Sequence, residues 1–126
     1  MMLNYQQSKR DYIMNKYTEL SDFEINLAVA HIALGKGSYD WCPDKKEVYF
    51  AGIDGGEFLH HGYFDPCNNP SDAMPIINEY GISLIYQDRK FQFATNDGNI
   101  ECCIANPLKA AMIIFLCMKD AENEKV

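Results

Sequence analysis

A chain of 126 residues, 48% hydrophobic and 13% aromatic, is long enough to bury one core and too short for two domains. Its formal net charge of −7 counts against duplex DNA or RNA as a partner, because such binders need a basic face to displace counterions. No apolar run approaches the ~20 residues of a membrane helix, and the polar start MMLNYQQSKRDYIMNKY lacks the apolar middle of a signal peptide, so the expected location is the cytoplasm with no membrane contact.

Residues 1–18 read as a polar N-terminal extension without periodicity, with Met14 an alternative start to Met1. The single domain is expected over 19–120 and a solvated tail over 121–126. Ser21 and Glu24 form a capping box, and Leu20 can staple onto Ile25, which predicts a helix from Asp22. Ile25, Ala28, Val29 and Ile32 follow at helical spacing, and Gly35 and Gly37 supply the stop. The segment from Lys36 to Lys46 reads as a loop loaded with Tyr39 and Trp41, with Trp41 as a lid over the core. Asp54-Gly55-Gly56 between apolar runs predicts a hairpin with strands near 47–52 and 57–63.

Asn68 to Leu84 reads as loop, capped helix, glycine stop and strand. If Asp72 is the cap, Pro75 falls in the first turn; if Asn69 is the cap, Pro75 sits inside the helix. Ile76, Ile77 and Tyr80 form the buried stripe and Gly81 ends it. Segments 82–86, 91–95 and 99–105 then make a three-stranded meander. Strict alternation puts Phe91, Phe93 and Thr95 on one face, Gln92 and Ala94 on the other, and Cys102 and Cys103 on opposite faces. Asn106-Pro107 repeats the cap-and-proline start. The helix that follows carries Leu108, Ala111, Met112, Phe115 and Leu116 as its stripe, with Ile113 and Ile114 making it apolar nearly all round. Such a helix needs cover on more than one side, from the extension or from a second subunit, and this is the ground for expecting a homo-oligomer. The fold class is α+β: an antiparallel sheet, made of a hairpin plus a meander, packed with about three helices in the order α-β-β-α-β-β-β-α.

Five cysteines without Cys-x-x-Cys spacing signal neither a disulfide framework nor a zinc ribbon. No metal or other cofactor is expected. Lys109 sits in the first turn of the last helix, where acidic residues are usual; with Asn106 and the free amides it could cradle a phosphate, and the plainer alternative is an exposed lysine. Arg89 and Lys90, beside Tyr86 and Phe91, offer charge and stacking for a nucleotide or, more plainly, form a solvated turn. The meander order places that turn and the last helix start at one end of the sheet. Asn68 and Asn69 either join a ligand site or bond their own backbone. His60 and His61 are adjacent in a strand and face opposite ways, which disfavours joint ligation of one metal.

Three blocks in order, LSDFEINLAVA, DPCNNPSDAMPIINEYGISL and NPLKAAMIIFL, resemble the NinX family of small phage and prophage accessory proteins over roughly 19–118. More loosely the chain resembles phage domains described as an α-β-α sandwich, and in layout alone it is similar to phage counter-defence proteins that sequester the cyclic ADP-ribose signal of Thoeris immunity. The resemblance implies a phage context without an established catalytic activity. The leading expectation is a non-enzymatic binder of an anionic nucleotide-type immune signal, using Asn106, Lys109, Arg89, Lys90, Phe91, Tyr86, Trp41, Asn68 and Asn69. The alternative is an acidic protein-interaction module that inhibits a host protein. A phosphodiesterase using His60, His61 and Asp65 comes third.

Overall fold

The capping box at Ser21 closes the first turn of helix α1, Asp22–Ala33: the Glu24 amide donates to Ser21 Oγ at 3.2 Å, and the Ser21 amide to Glu24 Oε1 at 3.2 Å. This computed structural model describes residues 14–54 and 57–124; Gly55 and Gly56 of the expected hairpin turn and the first 13 residues lie outside it. Residues 14–18 are helical, and Tyr17 among them is buried, donating its hydroxyl proton to Asp120.

Two three-stranded antiparallel sheets follow. The first comprises β1 (Tyr39–Cys42), β2 (Glu47–Asp54) and β3 (Glu57–Tyr63) in that order. Strand β1 corrects the loop expected over 36–46. Its aromatic load is that of a strand, with Tyr39 opposite Phe50 and Trp41 opposite Val48. The Trp41 lid is also corrected. The ring stands edge-on to His31 at 5.1 Å and stacks on Tyr39 at 6.1 Å, and it stays 38% exposed.

Helix α2, Pro70–Tyr80, is capped by Asn69, whose Oδ1 accepts from the Ser71 amide at 3.0 Å. Pro75 therefore sits inside the helix and offers no amide to the Ser71 carbonyl. Gly81 adopts the left-handed conformation (φ 65°) that lets the Ile82 amide return to the Ile77 carbonyl at 3.0 Å. The second sheet comprises β4 (Ser83–Gln87), β5 (Lys90–Asn96) and β6 (Ile100–Cys102). Asp88 and Arg89 both take positive φ in the two-residue β4–β5 turn.

Strict alternation in β5 is corrected too. Ile85 pairs with Phe93 and Tyr86 with Phe91, so Gln92 is an inserted residue. The bulge resets the phase, and Phe91 and Ala94 both pack into the core. Strand β6 is shorter than the 99–105 expected and ends at the buried Cys102, so the exposed Cys103 falls just past it and is not placed by alternation.

Helix α3, Pro107–Glu124, is the centre of the molecule. Every residue from Ala110 to Cys117 is buried, and the helix packs on α1, α2 and all strands of the second sheet. One chain covers this apolar circumference, so it supplies no reason for a second subunit. The stripe of α1 is corrected by rotation: Ile25, Asn26, Val29 and Ala30 are buried, while Ile32 is 45% exposed. The fold is α+β, with the described elements in the order α-β-β-β-α-β-β-β-α.

Candidate functional site

The N-terminal ends of α1, α2 and α3 meet at one polar junction. Asp22 opens α1, Asn69 caps α2, and Asn106 caps α3 by accepting the Leu108 and Lys109 amides at 3.0 and 3.3 Å. The loop at 65–69 ties them together. Asp65 Oδ1 accepts from Asn26 Nδ2 at 2.8 Å and from Asn68 Nδ2 at 3.1 Å, and Asn26 Oδ1 accepts from the Cys67 amide at 3.1 Å. Asn106 Nδ2 donates to the Cys67 carbonyl at 2.7 Å and to Asn68 Oδ1 at 3.1 Å.

Lys109 is neither exposed nor open to an anion. Its side chain is 16% exposed and its Nζ lies 2.9 Å from Asp22 Oδ1. A phosphate at this helix start would have to displace a carboxylate already in place. Asn106 likewise spends its oxygen on the cap and its amide on the loop. Asn68 donates to Asp22 at 3.0 Å, and Asn69 bonds the α2 backbone. The residues gathered here are joined mainly to one another.

Hydrogen bonds from Asn68 and Lys109 hold the Asp22 carboxyl below its ordinary 3.8. A depressed carboxylate adds stability that is present above the unfolded value and is lost as pH falls through the folded one. Stability should therefore drop below about pH 4, and this part of the loss should shrink in a Lys109→Met variant. Denaturant titrations of both proteins at pH 3 to 7 check it. Asp22 is half exposed, so the effect is small and weakens with salt.

Arg89, Lys90, Tyr86 and Phe91 form a separate place at the β4–β5 turn. Tyr86 is 53% exposed and stands edge-on to Phe91 at 5.5 Å. Strand β6 runs back toward this turn but ends at Cys102, opposite Ala94. That leaves about 13 Å of strand between that point and Lys90. Trp41 lies apart from both places, in the first sheet.

For catalysis, Asp65 gives both carboxylate oxygens to side-chain bonds. The side chains of His60 and His61 lie outside the described residues. Burial pushes the Cys67 thiol well above its ordinary value and the Cys117 thiol up to about 12, so both stay protonated and poorly nucleophilic at neutral pH.

A groove of about 360 Å³ was not foreseen from the sequence. Ile32 comes from the last turn of α1 and Leu34 from the cap after it, Phe50 from β2, Phe64 from the residue following β3, and Pro75, Ile76 and Tyr80 from α2. The charged side chains lining it are Asp72 and Glu79, both acidic. Tyr39 pairs with Phe50 across the strands and stacks on Trp41, so both rings stand beside the groove without lining it. The available signal was Ile32, an apolar residue one turn before a glycine stop. Nothing local says that the first sheet and α2 will flank it.

A family model described as Bacteriophage P22, NinX matches residues 16–119 of the chain. No curated protein and no solved structure matches it. Among the described residues no helix is long and apolar enough to cross a membrane.

Proposed function

The chain belongs to the bacteriophage P22 NinX family and is a phage accessory protein, and from that premise we propose that it works by binding, not catalysis, with a basic and apolar segment of a host protein as its partner. The observation behind this reading is the groove between α1, the first sheet and α2. Its lining is more apolar than polar, its charged residues are acidic, and the Tyr39 and Trp41 rings stand beside it on β1. Aromatic anchors inside an apolar site are where binding energy concentrates, and an acidic rim on a chain of net charge −7 selects a cationic partner. A nucleotide phosphate has no cation to meet in this groove.

A second reading, capture of a nucleotide-type immune signal such as cyclic ADP-ribose, draws on the exposed Tyr86 ring beside Phe91, Arg89 and Lys90. One experiment with two arms separates them. A photo-crosslinker at Ala33, in the groove, should capture a host protein that a crosslinker at Asp97 does not. Ile32→Lys should abolish the capture, as should about 0.5 M salt. Equal capture from both positions, or capture indifferent to Ile32→Lys, overturns the protein-binding reading. In the other arm, thermal unfolding is followed against cyclic ADP-ribose isomers and cyclic dinucleotides; a ligand at 100 times its dissociation constant adds about 2.7 kcal/mol. A shift that Arg89→Ala removes favours the second reading instead.

A further inference from the structure

An edge strand presents unpaired backbone donors and acceptors, and proteins usually blunt it with charge, proline, a bulge or short length. The other edges here follow that rule, including the seven-residue β3, which begins at Glu57 and carries an inserted residue between His60 and Tyr63. Strand β6 has three residues and includes Glu101, and β1 has four and includes Asp40. Strand β4 does not. Its five residues, Ser83, Leu84, Ile85, Tyr86 and Gln87, contain no charge and no proline. The bulge of the second sheet lies in its central strand, at Gln92, which leaves β4 regular. Ile85 and Tyr86 are exposed, and no described strand pairs with the outer edge of β4.

We infer that this edge pairs antiparallel with the β4 edge of a second copy, in a two-fold register centred on Ile85. In that register Ile85 faces Ile85, Leu84 faces Tyr86 and Ser83 faces Gln87, so the strands themselves set no like charges opposite each other. The flanks are complementary as well. Each β4 is entered from the acidic end of α2, at Glu79, and leaves into Asp88, Arg89 and Lys90, a stretch that is net basic. Antiparallel pairing brings the acidic end of one strand beside the basic end of the other, twice by symmetry. The result is a continuous six-stranded sheet. Five paired residues fall short of the ~1,200 Å² of a standard interface, so the dimer is weak and concentration-dependent. This interface uses the second sheet, so its test is independent of the groove on the first.

The test is sedimentation velocity of the full chain across roughly 10 to 500 µM, a range suited to a weak interface. The expected result is reversible dimerisation of the wild type, lost in Ile85→Lys and in Ile85→Glu, each of which sets like charges against each other at the two-fold axis. Mixing the two variants should restore a dimer, because the register places lysine opposite glutamate. Circular dichroism establishes that both variants are folded, and Ile85→Thr, which keeps a β-branched residue, should still dimerise. A wild type that is monomeric throughout overturns the inference. So does a dimer indifferent to both substitutions, or a mixture that stays monomeric.

Discussion

Phe115→Ala is expected to lower the unfolding free energy by about 3–5 kcal/mol. Phe115 is fully buried in the middle of α3, and its ring packs edge-on against Tyr80 at 4.9 Å. Truncation loses the transfer free energy of the ring and leaves a cavity between α3 and α2 that a helix held on several sides cannot collapse to fill. Domains of this size have only about 5–15 kcal/mol in total, so the variant should be near the limit of folding at 37 °C. Urea unfolding followed by circular dichroism measures it. A loss under about 1 kcal/mol would mean that the α3 environment rearranges freely, against the close packing of interiors.

Asn26→Ala should cost about 2–4 kcal/mol, through hydrogen bonds and not through volume. Asn26 is a buried polar residue in the core-facing side of α1. It supplies an acceptor to the buried Cys67 amide and a donor to Asp65. Alanine removes both, leaving an amide without a partner away from water and a carboxylate short of one donor. Asn26→Leu separates the causes. It keeps the bulk but not the bonds, and should be as destabilising as alanine. If leucine is tolerated, the residue was a space filler and the junction is held by its other contacts.

The Asn26 case also marks where sequence reasoning reaches its limit. A capping box, a proline after asparagine, a glycine at a helix end and a two-residue hairpin turn are local. Their partners lie within about five residues, so the conformation follows from the chain's own hydrogen-bonding groups. The Asp22 start, the Gly81 stop, the meander and the Asn106 cap were all legible on that ground. Asn26, by contrast, pairs with residues some 40 positions away. An asparagine among Ile25, Leu27 and Val29 was the visible hint of a buried polar contact, and only its partners were hidden.

The candidate ligand residues divide in the same way. That Asn106 would cap a helix was readable from Asn-Pro. That Lys109 would be neutralised by Asp22 was not, because the pair spans most of the chain. The β5 bulge shows a third kind of limit. Alternation by two is a strict geometric consequence of an unbroken strand, but whether one residue is inserted depends on how the neighbouring strand must curve to meet the core.

Legible in the chain were the Asp22 start of α1, the Gly81 stop of α2, the Asn106 cap of α3, the meander, the α+β class and the resemblance to the NinX family, because each rests on neighbours in the chain or on ordered blocks of it; the choice of Asn69 over Asp72 as the α2 cap was not. Tertiary structure alone decided the rest. It set which face of α1 is buried, enclosed α3 within one chain, matched Lys109 with Asp22 and opened the acidic-lined groove. Those outcomes depend on distant segments meeting, driven largely by apolar burial, which is not directional: an apolar stripe in the chain shows that a face is covered but not which segment covers it.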